Sequence, residues 1–283
     1  MAAVTESNAP VVAITGAAGG IGAALAARFA AAGYRLALAD VHEASLTTLA
    51  DTLRTQGAEV VTCLVDVRRI SDLEAWLRQI QETFNGVDVL INNAGVTTWA
   101  LFADMTYADI DWVMDVNVRG VLNGCRVFIP ALKEGPRGHI VNVSSMIGDF
   151  PGPMQTTYTA SKWAVRGFSQ ALRLELRAQG VGVTTVLPGV ISTPFLTAAR
   201  SYDADHVSWL GELMKKYGAS PDLVARRIVR ATRRNKGHIR VGIDSHLTGW
   251  IQRFLPGVLP WFLGRAYPML ASSESRGSKA KDS

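Results

Sequence analysis

Residues 11–22 read Val11-Val12-Ala13-Ile14-Thr15-Gly16-Ala17-Ala18-Gly19-Gly20-Ile21-Gly22. The opening apolar run does not alternate with polar residues, which is the pattern of a strand covered on both faces. The glycines that follow let the chain turn tightly and let its backbone approach another group closely. The helical pattern starting at Gly20 offers free N–H groups and the positive end of its dipole to an anion. The spacing over Gly16, Gly20 and Gly22 is G-x-x-x-G-x-G rather than G-x-G-x-x-G. A tight strand-to-helix turn needs similar residues, but the position after a first strand and before a helix points to a nucleotide phosphate.

The same rhythm repeats outward from this stretch. Strands are expected at Val11–Thr15, Arg35–Asp40, Glu59–Asp66, Val87–Asn92, His139–Ser144, Gly182–Leu187 and His238–Gly242. Helices are expected at Gly20–Ala32, Glu43–Gln56, Ile70–Phe84, Tyr107–Lys133, Thr156–Gln179 and Pro221–Asn235. Strands alternating with helices predict a single-domain α/β fold, a doubly wound parallel sheet of seven strands flanked by helices. That domain spans residues 1–243, with a substrate loop at about 193–218. An apolar C-terminal extension (244–271) follows, and a small polar tail, 272–283, is expected to be disordered.

Composition narrows the class. The chain has 283 residues, 48% hydrophobic and 19% charged, which excludes wholesale disorder, collagen and coiled coil. Two cysteines, Cys63 and Cys125, cannot make a disulfide scaffold and read as small buried hydrophobes. The polar start, Met1–Pro10, does not read as a secretory signal, and no apolar stretch approaches the length of a membrane span. The expected location is cytoplasmic. The net charge of +5 is local: seven of the 29 basic residues fall within 226–240, leaving 22 against 24 acidic residues elsewhere. Nucleic-acid binding would bring interleaved aromatics, which this run lacks, so no nucleic-acid partner is expected. His42, His139, His206, His238 and His246 do not cluster, so no metal site is expected.

Several residues carry chemistry. Asp40 ends the second strand, 18 residues after Gly22, where a carboxylate can accept from both ribose hydroxyls and repel a 2′-phosphate. Neither Ala18 nor Val41 supplies a positive charge, which favours NAD over NADP. Capping of the next helix is the alternative role for Asp40. Asp66, at the end of the third strand, could meet an adenine edge. Tyr158 and Lys162 are four apart in a helical pattern and share a face. An ammonium there stabilises phenolate and brings a tyrosine toward acid–base work near neutrality. Ser144 and Ser145, just upstream, supply hydroxyls that could polarise a carbonyl.

Taken in order, Thr15–Gly22, Asn92-Asn93-Ala94-Gly95, Asn117, Ser145, Tyr158-x-x-x-Lys162 and Pro188-Gly189 followed by Thr193 resemble the short-chain dehydrogenase/reductase family over residues 11 to about 195. The resemblance implies a Rossmann-type sheet and hydride transfer with a nicotinamide cofactor, here NAD. It implies that Tyr158 is the acid or base and that Lys162 lowers its pKa and holds the nicotinamide ribose. Ser145 would bind the substrate oxygen, and Asn117 would position a relay water by distorting its helix. Cofactor contacts would come from Gly16, Gly20, Ile21, Gly22, Asp40, Asp66, Val67, Asn93, Ala94, Gly95, Tyr158, Lys162, Pro188, Gly189, Ile191 and Thr193. The rivals to an NAD-dependent enzyme of CH–OH groups are an NADPH-dependent carbonyl reductase and a non-catalytic NAD-sensing module.

Trp99, Met146, Phe150, Met154, Phe195 and Trp209 would form an apolar substrate wall, suited to a steroid, retinoid or acyl-chain alcohol or ketone. The helices 107–133 and 156–179 could pair two subunits, so a homodimer or homotetramer is expected. The stretch 247–270 sets Trp250, Phe254, Trp261 and Phe262 beside Arg253 and Arg265. Packing on its own or a partner subunit, a peripheral membrane contact and a lid over substrate all fit that pattern.

Overall fold

The structure is a computed structural model that describes residues 9–271 apart from 197, 202 and 203; the side chains of 204–206 and 266–271 also lie outside the description. The expected tail, 272–283, falls outside the described residues. In chain order the main elements are β1 (Val11–Thr15), α1 (Gly20–Ala31), β2 (Arg35–Asp40), α2 (Glu43–Thr55), β3 (Val60–Leu64), α3 (Ile70–Phe84), β4 (Val89–Asn92) and β5 (Thr98–Trp99). They continue with α4 (Tyr107–Met114), α5 (Gly120–Glu134), β6 (His139–Val143), α6 (Thr156–Leu176), β7 (Gly182–Pro188), β8 (Arg200–Ser201), α7 (Ala204–Tyr217), α8 (Pro221–Arg233), β9 (His238–Val241), α9 (Ile243–Phe254) and α10 (Val258–Ala271).

The seven long strands form one parallel sheet in the order β3-β2-β1-β4-β6-β7-β9. Ile14 lies opposite Leu38 on one side and Ile91 on the other, so β1 is central and buried throughout. The chain builds outward from β1 to β3, then returns to β4 on the far side of β1. That reversal opens a crevice at the carboxyl ends of β1 and β4, where ligands bind in open α/β sheets. One face of the sheet is covered by α1, α2 and α8 through Leu25, Phe29, Leu46, Leu53, Val224 and Ile228. The other is covered by α3, α5 and α6 through Trp76, Ile80, Phe128, Leu132, Val165 and Leu172. Trp76 and Phe128 meet with ring centroids 5.2 Å apart.

The expected strands and helices form, with differences at several places. The strand expected over Glu59–Asp66 is shorter, Val60–Leu64, and Cys63 on it is only partly buried, unlike Cys125. The helix expected over Tyr107–Lys133 is broken by a π turn, Asp115–Arg119, between α4 and α5. The 193–218 segment is not bare loop: β8 pairs in parallel with β5, and α7 follows. Arg240 leaves the surface basic run and turns inward to Asp149. The apolar tail folds as two helices, α9 and α10. Among the described residues no helix is long and apolar enough to cross a membrane.

Candidate active site

The glycine turn forms a cradle at the carboxyl end of β1. Gly16 has φ +62°, and a Cβ there would lie 2.8 Å from Ala94 Cα. A Cβ on Gly22 would lie 2.1 Å from the Gly16 carbonyl oxygen. No real side chain fits at either position. One on Gly20 would meet Thr193 Cγ2 at 2.6 Å, so the start of the 193–218 segment rests on this turn. No side chain caps α1 at Gly19, so its leading N–H groups stay available to an anion. The neighbouring Asn-Ala-Gly loop braces the turn. Asn93 Nδ2 donates to Thr15 O (3.1 Å) and Gly16 O (3.0 Å), and Thr15 Oγ1 accepts from the N–H groups of Asn93 and Ala94.

Asp40 is buried at the end of β2. Its carboxylate accepts from Ala18 N at 2.9 Å and His42 N at 3.1 Å, which fixes it beside the cradle. Asp66 is differently committed. Arg68 forks onto both its oxygens, with the closest contact at 2.5 Å, and holds its carboxyl below the usual carboxylate range. Val67 is buried against Gly120. Beyond β7, Gly189 N donates to Val241 O at 2.8 Å. Ile191 is buried in the core and bridges to Ala219. Sequence reasoning missed two residues here. Asp244 Oδ2 accepts from Val190 N at 2.5 Å, and Ser245 Oγ donates to Leu187 O at 2.8 Å, so the start of α9 clamps the Pro188-Gly189 turn. These partners lie more than fifty residues apart in sequence, and no local signal joins them.

Tyr158, Lys162, Ser145 and Asn117 converge on the same end of the sheet. Tyr158 is buried, with the Ser145 hydroxyl near its own. Ser145 opens the 146–148 turn and accepts from Ile147 N at 3.3 Å. Ser144 instead donates to Lys162 O at 2.8 Å, a structural role. Lys162 Nζ donates to Val143 O at 3.0 Å and lies 5.5 Å from the centroid of the Tyr158 ring. A Cβ on Gly95 would lie 3.4 Å from this ammonium. Asn117 is fully buried at the π turn. Its carboxamide accepts from Val96 N at 2.8 Å and donates to Val96 O at 2.9 Å and Ser161 Oγ at 3.0 Å.

Burial pushes the Tyr158 hydroxyl up to about 12, against the pull of the nearby Ser145 hydroxyl. It also lowers the Lys162 ammonium to about 8. Burial dominates the Tyr158 shift and Lys162 is not among its causes: the ammonium sits over the ring face and donates to the Val143 carbonyl.

Of the expected apolar wall, Phe195 meets Tyr158 with ring centroids 5.8 Å apart. Met154 O accepts from Ala100 N at 3.0 Å, next to Trp99 on β5, and Met146 is in the turn that Ser145 opens. Phe150 is buried, whereas Trp209 on α7 is 55% exposed. Immediately after the 146–148 turn, Asp149 is buried between Arg166 and Arg240 and bonded to both.

The chain matches the short chain dehydrogenase family over residues 10–204. It is 35% identical over 258 residues to the Mycobacterium tuberculosis protein named "Probable oxidoreductase EphD", covering 88% of this chain but 44% of EphD, so it spans less than half the length of that relative. SadH, from the same organism, is 32% identical over 249 residues, covering 87% of this chain and 90% of SadH. Among solved structures, a short-chain dehydrogenase/reductase from Burkholderia phymatum in complex with NAD superposes with a TM-score of 0.78 at 32% identity, covering 83% of this chain and 89% of that one. A strand-led glycine cradle, a Tyr-x-x-x-Lys helix and these matches agree, and the chain belongs to the short-chain dehydrogenase/reductase family of oxidoreductases that work with a nicotinamide cofactor.

Proposed function

We propose that this protein is an NAD-dependent dehydrogenase/reductase of lipophilic secondary alcohols and ketones. The observation that carries the cofactor choice is the Asp40 carboxylate, held by Ala18 N and His42 N beside the glycine cradle. A fixed negative charge there accepts from ribose hydroxyls and repels a 2′-phosphate. The cradle, the uncapped start of α1 and the clamped Pro188-Gly189 turn fit a dinucleotide. When bound, its nicotinamide supplies or accepts the hydride.

The chain's own residues handle the proton and the substrate oxygen. Ser145 and Tyr158, whose hydroxyls are neighbours, together present two hydroxyls to a carbonyl or alcohol oxygen. Tyr158 gives its proton in reduction and takes one in oxidation. Burial keeps the free phenol protonated, the state needed by a donor. Lys162 adds positive charge beneath the ring and reaches toward the Asn-Ala-Gly loop. Asn117 is a positioning residue: it holds Val96 and carries the π turn. Phe195, Met146, Met154 and Trp99 support the apolar substrate class, and exposed Leu122, Trp163 and Leu174 on α5 and α6 support pairing of two subunits.

The test is steady-state turnover of a panel of steroid, retinoid and fatty secondary alcohols with NAD and NADP. Wild-type kcat/KM is expected to favour NAD, and Asp40→Ala to weaken NAD while improving NADP. Tyr158→Phe is expected to lower kcat by about 10²–10⁴ with dinucleotide affinity retained. Better wild-type kinetics with NADP, or normal turnover by Tyr158→Phe, would overturn the reading.

A further inference from the structure

We propose that α9 and the beginning of α10 form a docking surface for an anionic lipid bilayer. The amphipathic pattern of α9 is turned inside out. Its small and polar side faces the protein: Ser245 and Gly249 are buried, Ser245 bonds Leu187 O, and Gly249 is packed on Arg240. The large apolar residues face away. Ile243, Leu247, Trp250 and Phe254, spaced 4, 3 and 4 residues apart, are 56–88% exposed. Leu255, Val258, Trp261 and Phe262 extend the exposed apolar surface across the break into α10. A run of this kind on a water-soluble surface marks an interaction site.

The charges identify the occupant. From residue 245 to 271 the chain contains no aspartate or glutamate, but it contains Arg253 and Arg265. Arg253 stacks on the Phe254 ring at 5.7 Å and Arg265 on the Trp261 ring at 4.8 Å. A guanidinium on an aromatic face is weakly hydrated and keeps its donors for phosphate. Tryptophans beside arginines on an apolar helix face are what an interfacial segment needs at the headgroup level. A two-fold contact with a second copy would set this patch on itself, arginine against arginine with no carboxylate to pair them. An anionic bilayer supplies the missing charge. The polar side of α9 stays locked to β7 and β9, so the helix lies on the membrane and does not enter it end-on.

The test is co-sedimentation of the full chain with phosphatidylcholine vesicles, with and without about one third phosphatidylglycerol, at low and high salt. Light scattering in lipid-free buffer and a thermal melt accompany it. Binding is expected with the anionic vesicles, falling as salt rises. Arg253→Gln with Arg265→Gln is expected to weaken it about 25-fold, roughly fivefold for each charge. Trp250→Ser with Phe254→Ser should abolish it, with lipid-free mass and melting temperature unchanged because both side chains are exposed. No sedimentation with anionic vesicles at low salt overturns the proposal. So does a fall in lipid-free mass on Trp250→Ser with Phe254→Ser, which assigns the face to a second copy. The readout needs neither dinucleotide nor turnover, so it stands or falls apart from the proposed reaction.

Discussion

Asp149 offers a quantitative test of how the site is built. The carboxylate is 5% exposed, and the Arg166 and Arg240 side chains on either side of it are 27% and 17% exposed. Three chain segments meet there: the turn after Ser145, the helix of Tyr158 and Lys162, and the last strand. Asp149→Asn keeps the shape and removes the charge. It leaves two guanidiniums facing each other, each already lowered by burial, and Arg166 lowered further by Arg240. Breaking a buried pair costs about 3–5 kcal/mol, and the partly wet arginines place this case near the lower end, about 3 kcal/mol. For a chain of this length that is a fall in Tm of about 5 °C. Thermal melts by circular dichroism measure it. Adding Arg166→Gln to Asp149→Asn removes one of the opposed charges and should recover part of the loss. A fall under about 2 °C, or a double variant that melts lower than the single one, would refute the assignment of Asp149 as the charge that holds these segments together.

Asp244→Ala should raise the KM for dinucleotide with little change in kcat, because it frees the Val190 N–H and the turn beside Gly189; paired initial-rate titrations separate the two constants. Acid should destabilise the fold through His139. Its ring is buried, Nε2 lies 2.7 Å from Thr184 Oγ1, and Thr184 gives its own proton to Lys236 O, so Nε2 is the donor. Burial lowers its pKa from 6.5 to about 4. Between those values the unfolded chain binds the proton and the folded one does not, so stability falls as pH drops through this window, by about 3 kcal/mol. Denaturant titrations from pH 7 to 4 should show this slope, and His139→Gln should flatten it.

The sheet was legible in sequence because each of its strands is a local apolar run and each helix a local stripe. The glycine cradle and the Tyr158/Lys162 pair were legible for the same reason: their chemistry depends on neighbours a few residues away. What was not legible depends on distant partners. Arg240 looks like one more member of a surface basic run until Asp149, 91 residues earlier, is seen beside it. Asp244 reads as the start of an extension, yet it clamps the turn after β7. The apolar stripe of α9 has the same spacing whether it faces the core or solvent, and only the docking of Ser245 and Gly249 decides. The upward direction of the Tyr158 shift likewise comes from burial by the surrounding fold, which the four-residue spacing does not reveal.

The carboxamide of Asn117 does what a strand residue would do: it takes the Val96 N–H and returns a proton to the Val96 carbonyl. A side chain is thus standing in for a peptide bond, and few of the twenty can imitate one. Aspartate has the length but no hydrogen to return, leucine has the volume but neither function, and glutamine is a methylene too long for a fully enclosed slot. In a saturation screen, position 117 should be as intolerant as position 158, while its neighbours Val116 and Val118 accept other apolar residues. A screen scored on turnover alone would file Asn117 with the chemistry; scored on folded yield, the same library would file it with the architecture.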